Sequence, residues 1–267
     1  MPVAFFMSTV VLYFLGTALF LSYLLRRSEA LSKVSLGVTA LGFLVHTIAL
    51  GTRMIQTDHV PLSSFHEAML FFSWALVLVF LLVEIRHHIH VLGSFILPLA
   101  LISLLSAAAL PKEVPTLEPV LRTVWVHVTL SMLGTVGFAV AFVAGLMYLI
   151  QERLLKSKRF NVLYSKLPPL DFLDKLNQQS IVLGFPLLTL GIIAGAISAE
   201  YARGSFVSWN PEQTWALVTW VFYFIVLLGR LTAGWRAKRA AYLTIIGFAG
   251  VVLTLIGVVL KGHGPTA

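Results

Sequence analysis

Residues 123–150 read TVWVHVTLSMLGTVGFAVAFVAGLMYLI, a run with no aspartate, glutamate, lysine or arginine. About 20 apolar residues in a helix cross the ~30 Å hydrocarbon core of a bilayer. A run this long, with no charge to mark a water-facing side, is a membrane span. Working outward from it, comparable runs occupy Phe5–Leu25, Val34–Met54, Phe65–Ile85, Val91–Leu110, Ser180–Ala199, Pro211–Leu231 and Ala241–Leu260. The expected fold is therefore all-α: a polytopic membrane helix bundle of about eight transmembrane helices, forming a single domain over residues 1–267.

Composition agrees. Of the 267 residues, 58% are hydrophobic and 11% charged, with a mean hydropathy of +0.92. A soluble domain carries about a quarter charged residues to make its polar skin. Cysteine is absent, which excludes disulfides, thiolate metal sites and a thiol nucleophile. The first run is long enough to span, and Met1-Pro2-Val3 lacks the basic n-region of a signal peptide, so a retained helix is expected.

The formal charge of +8 does not point to nucleic acid here, because in a membrane protein the side of the charge carries the information. Arg26, Arg27, Lys33, Arg86, Arg153, Lys156, Lys158, Arg159, Lys166, Lys175, Arg230, Arg236, Lys238 and Arg239 follow the odd-numbered spans. They are 14 of the 19 basic residues. Arg53, Lys112, Arg122, Arg203 and Lys261 lie on the other side. Positive charge marks the cytoplasmic side, so both termini are expected outside, in a multi-pass protein of the inner (cytoplasmic) membrane. The long cytoplasmic loop, about residues 152–179, spaces Leu167, Leu170, Leu173 and Leu176 by three. That pattern fits a short amphipathic helix at the interface, and equally a solvated connector or a docking site. No sequence repeat, low-complexity tract or linker is apparent.

The histidines sort by depth. His87, His88 and His90 join Arg86 at the inner end of the third span, without co-ligands at metal spacing. His46 is in mid-span, where an ionisable group should face protein, and Arg53 is on the same helix face two turns on. It reads equally as a buried structural hydrogen bond or a functional site. His59, His66, His127 and His263 map to the outer side. Neutral imidazole is a common ligand for transition metals and haem iron, and two such rings could hold a flat macrocycle. Histidines at a headgroup boundary are also ordinary.

Residues 201–215, YARGSFVSWNPEQTW, place Tyr201, Phe206, Trp209 and Trp215 on that same outer side. Such residues form the aromatic belt of any span. They could also make a platform for a flat apolar ligand, whose carboxylates Arg203 and Arg122 are placed to pair. Asn210, Pro211 and Gln213 suit the N-cap, N1 and capping-box positions of the next helix.

At this point the chain resembles the haem-handling cytochrome c assembly proteins, in particular short eight-helix CcsA- and HemX-like members. The matching strings are WNPEQTWALVTW, GWRAKRAAYLTIIGF and KGHG, with VPLSSFHEAMLFFSW, VWVHVTLSMLG and LPPLDFLDKLNQQSIVLGFPLLTLGIIAGAI upstream. The resemblance runs from about His46 onward. It implies a bis-histidine haem b site on the outer face, with His127 and His263 as axial ligands of the iron and Trp209 and Trp215 as the porphyrin platform. Implied partners are haem, the lipid bilayer, an assembly partner membrane protein and an apocytochrome c; nucleic acid is not among them.

The chain departs from the family's pattern at Asn210, Glu212 and Gln213, where the family carries an acidic residue, a lysine and a glutamate, and at Phe206 and Val207, where tryptophans are paired. Gly229 stands where synthetase-type members carry a membrane histidine. The resemblance thus supports the outer pocket rather than a relay across the membrane. It leaves direct haem delivery in cytochrome c assembly beside a HemX-like accessory role controlling haem biosynthesis. A small-solute transporter without haem is the rival from another class. With no cysteine and no evident nucleophile, intrinsic catalytic side chains are not expected.

Overall fold

The computed structural model describes residues 3–26, 28–57, 62, 64–109, 124–158, 162–206 and 211–262, with the backbone alone at 57, 109, 124, 202, 203, 211, 212 and 254–262. Among them the secondary structure is entirely helical. The helices are α1 (Val3–Leu25), α2 (Glu29–Thr57), α3 (Phe65–His87), α4 (Gly93–Ala109), α5 (Val124–Lys156), α6 (Val162–Lys166), α7 (Leu170–Arg203), α8 (Pro211–Thr232) and α9 (Ala237–Gly262), with a 3-10 turn at His90–Leu92. Each apolar run of the sequence has its counterpart in one long helix, the fourth run opening in the 3-10 turn before α4. Among the described residues seven helices are long and apolar enough to cross a membrane, and α9 carries the eighth run. The chain is an all-α polytopic membrane protein.

The 152–179 segment differs from the expected interfacial helix. Residues up to Lys156 continue α5, α6 is a single turn, and Leu170–Leu176 opens the long α7, with Leu173 fully buried. Asp174 explains this. Its Oδ1 accepts from Arg230 Nη2 at 2.8 Å and from the Ala237 backbone N–H at 3.0 Å, which draws the first turns of α7 into its bundle.

The helices fall into two compact units. The first comprises residues 1–115 and 151–168, and the second residues 116–150 and 169–267. In the first, α1 packs on α2 and α4, and α3 on α2 and α4. Lipid offers no hydrophobic drive between helices, so small residues and polar side chains hold them together. A Cβ on Gly16 would stand 2.8 Å from Thr39 Oγ1, and one on Gly42 2.9 Å from the Tyr13 ring. Ser73, Ser94 and Ser103 donate to the carbonyls of Ala100, Phe20 and Met69 on neighbouring helices, at 2.7, 2.9 and 3.0 Å. His46 is fully buried, with Nδ1 3.2 Å from Tyr13 Oη, so the mid-span imidazole faces protein. At one end of the unit Arg53 donates through Nε and Nη2 to Glu67 Oε1, at 3.2 and 3.1 Å. At the other, Glu84 and His90 are in contact, and Lys166 donates to the carbonyls of Tyr23 in α1 and of Arg26 just after it.

The second unit packs α5, α7, α8 and α9. The α5–α7 seam is glycine on glycine: a Cβ at Gly184 would lie 2.8 Å from the Gly134 carbonyl, and one at Gly137 2.9 Å from Gly184 Cα. No side chain fits that seam. Phe138 stacks on Tyr223, with centroids 3.6 Å apart, and Phe142 on Phe248 at 5.0 Å. Asn177 Nδ2 donates to the Ala141 carbonyl and to Thr244 Oγ1, while its Oδ1 accepts from Arg230.

Candidate functional site: an oriented imidazole at the aromatic-loop end

His127 lies one turn into α5, and α7 passes it with Gly191 and Gly195, two residues one turn apart on the same face. The Gly191 carbonyl sits 2.6 Å from His127 Nδ1. A carbonyl can only accept, so Nδ1 carries the proton, and in the neutral ring the lone pair is then on Nε2. This fixes both tautomer and ring direction, the arrangement that metal-ligating histidines obtain from a backbone carbonyl behind them. Ser131 Oγ, one turn on, is 3.5 Å from the same Nδ1.

The space for the ring comes from missing side chains. A Cβ at Gly195 would stand 2.6 Å from His127 Nδ1 and 2.8 Å from Cε1, and one at Gly191 would run into Ser131. The ring is half-buried, so it is held yet approachable.

Among the other expected site residues, Phe206 is 57% exposed and Trp215 52%. Arg203 closes α7, with Gly204 in the left-handed conformation behind it (φ 67°) turning the chain into the loop. Its side chain, together with Arg122, Trp209, His263 and His59, lies outside the described residues. His66 belongs to the first unit, buried, with Nδ1 2.6 Å from the Ala107 carbonyl. Among the described residues no three histidine or carboxylate groups gather at metal-binding distance.

Residue typing alone did not single out Gly191 and Gly195, which make the His127 pocket; a glycine pair one turn apart opposite a span histidine was the available signal. Nor did it find Arg230, 5% exposed inside the second unit and tied to Asp174 and Asn177. A charge at the end of an apolar run was the cue. Gly229 is also occupied territory. A Cβ there would collide with the Trp235 indole, which is itself covered by the Arg239 guanidinium at 4.0 Å.

The Cytochrome C assembly protein family model matches residues 62–265. The chain belongs to that family. Members resembling it include the cytochrome c biogenesis protein CcsA of Guillardia theta, 33% identical over 252 residues that cover 86% of this chain and 84% of that one. The CcsA of Synechococcus elongatus is 29% identical over 308 residues, covering 98% and 93%. Among solved structures, the cytochrome c haem lyase CcmF superposes with a TM-score of 0.63 at 16% identity, covering 97% of this chain and 49% of that one. The chain thus spans about half of the length of CcmF, and the likeness shows a shared fold. This multi-pass membrane protein of the cytochrome c assembly family acts in cytochrome c assembly.

Proposed function

We propose that the protein holds haem b at the aromatic-loop end of its second unit and delivers it, on the outer face of the cytoplasmic membrane, to an apocytochrome c. The observation that carries this reading is the Nδ1–H bond from His127 to the Gly191 carbonyl, which leaves Nε2 as an oriented iron ligand. His263 would supply the second imidazole to the iron. Trp209, Trp215 and Phe206 give flat apolar surface to the porphyrin faces, and Arg203 and Arg122 pair with its carboxylates. Bound haem brings the reactive vinyl groups that a cytochrome's thiols require. The protein's part is to orient it and shield it from lipid and water.

The family and the CcsA relatives favour assembly over control of haem biosynthesis or transport of a small solute. Trp235 packed on Gly229 supports a single site at the aromatic-loop end rather than a chain of ligands through the second unit. Purification in mild detergent tests the reading. The wild type should show a Soret band with α and β bands on reduction. Replacing His127 or His263 by alanine should lower haem occupancy or turn a low-spin spectrum high-spin, and His87→Ala should do neither. A colourless wild type, or unchanged spectra in both outer variants, would sink it.

A further inference from the structure

We infer that the chain is a tandem duplication of one four-helix unit, whose two copies have diverged at the corner where the ligand is held. The helix order supports it first. In the first unit α1 packs on α2 and α4, and α3 packs on α2 and α4. In the second, α5 packs on α7 and α9 through Gly134, Gly137, Gly184 and Gly145, and α8 packs on α7 and α9. The four neighbour pairs of the two cycles correspond, with α1, α2, α3 and α4 standing for α5, α7, α8 and α9; the second unit adds a contact of α7 on α9. Internal repeats are an established way to build membrane bundles.

The side chains agree residue by residue. On α2 the chain reads Leu41-Gly42-Phe43-x-x-x-Thr47, and on α7 Leu183-Gly184-Phe185-x-x-x-Thr189. In each copy the glycine receives the first helix closely. Gly42 faces Tyr13, three residues before Gly16, and Gly184 faces Gly134, three residues before Gly137. In each copy the phenylalanine packs on a tryptophan of the third helix, Trp74 at 5.6 Å and Trp220 at 5.4 Å between ring centroids. In each, that indole N–H donates to the threonine Oγ1 at 2.9 Å, and the threonine donates at 2.8 Å to the phenylalanine's own carbonyl.

The third helices start alike. Ser64-x-x-Glu67 precedes Trp74 with the same spacing as Asn210-x-x-Gln213 before Trp220, and Ser64 Oγ accepts from the Glu67 N–H at 3.2 Å. Ten residues beyond each tryptophan stands a buried charge, Glu84 and Arg230.

The register from Thr47 to Thr189 carries Arg53 onto Gly195, and that from Trp74 to Trp220 carries Glu67 onto Gln213. In the first unit Arg53 reaches Glu67 and fills the corner with an ion pair. In the second, the missing side chain of Gly195 admits the His127 ring. The first unit is thus the closed copy and the second the ligand-holding copy, a division that rests on the haem reading; the duplication itself does not.

The chain has no cysteine, so paired cysteines can be placed without background. In the full-length protein, Thr47→Cys with Trp74→Cys, and Thr189→Cys with Trp220→Cys, should both link with a short thiol-reactive cross-linker. Pairs moved one residue along the second helix, at 48 with 74 and 190 with 220, should not. Linkage in one unit alone, or equal linkage of the shifted pairs, overturns the duplication. For the divergence, installing the first copy's pair in the second (Gly195→Arg with Gln213→Glu) should displace the His127 ring and cut haem occupancy at least tenfold. The reverse exchange, Arg53→Gly with Glu67→Gln, should leave the spectrum unchanged. Full haem in the former, or loss matching His127→Ala in a folded sample of the latter, overturns the assignment of roles. Were the wild type colourless, the haem reading would fail, and matched cross-links would still support the duplication.

Discussion

Gly195→Ala isolates the geometry of the candidate ligand from everything else in the chain. The added methyl would stand 2.6 Å from His127 Nδ1, 2.8 Å from Cε1 and 3.2 Å from Cγ. Non-bonded heavy atoms settle at roughly 3.5–4.0 Å, so the ring must retreat by about 1 Å. The Nδ1–Gly191 bond is 2.6 Å long, and a shift of that size stretches it beyond useful range. A lost hydrogen bond of this kind costs about 0.5–1.5 kcal/mol, and realigning the iron ligand adds to that. Haem affinity should therefore fall about tenfold or more, since ~1.4 kcal/mol is one decade. Stability should move less, because alanine is the better helix former by ~1 kcal/mol and offsets the crowding. Haem titration by Soret absorbance, beside thermal unfolding in the same detergent, separates the two. Wild-type affinity with an unchanged low-spin spectrum would refute the orientation argument.

Other outcomes follow from the same structure. Asp174→Ala leaves the Arg230 guanidinium buried without its carboxylate and removes the cap on the Ala237 N–H; losing one partner of a buried pair costs about 3–5 kcal/mol, which a thermal melt should register as a large fall. Gly184→Val pushes a branched side chain into the Gly134 backbone, so the variant should fail to accumulate in membranes on an immunoblot. Tyr13→Phe removes the hydroxyl 3.2 Å from His46 Nδ1, and interhelical hydrogen bonds in membranes are worth about 0.6 kcal/mol on average, so a small loss in melting temperature is expected. Alkaline phosphatase fused after Ala267 should be active and after Lys158 inactive; the reverse pattern would invert the membrane orientation.

Much of the fold was legible in the sequence because the bilayer enforces it. Unpaired backbone is prohibitive in hydrocarbon, so a charge-free stretch such as 123–150 has little choice but to be helical, and its length sets where it ends. The family strings around Trp209 and Gly229 were local too, readable without knowing what they touch. What tertiary structure decided were the relations between helices. That His127 is held by Gly191, that Gly195 makes its room, and that Asp174 pulls α7 inward all depend on residues at least forty positions apart meeting across a seam. The duplication was hidden for the same reason. Lipid-facing positions are interchangeable among apolar residues and keep no register, so only the few positions that touch a neighbouring helix still carry it, Gly42 on Tyr13 and Gly184 on Gly134, Thr47 on Trp74 and Thr189 on Trp220.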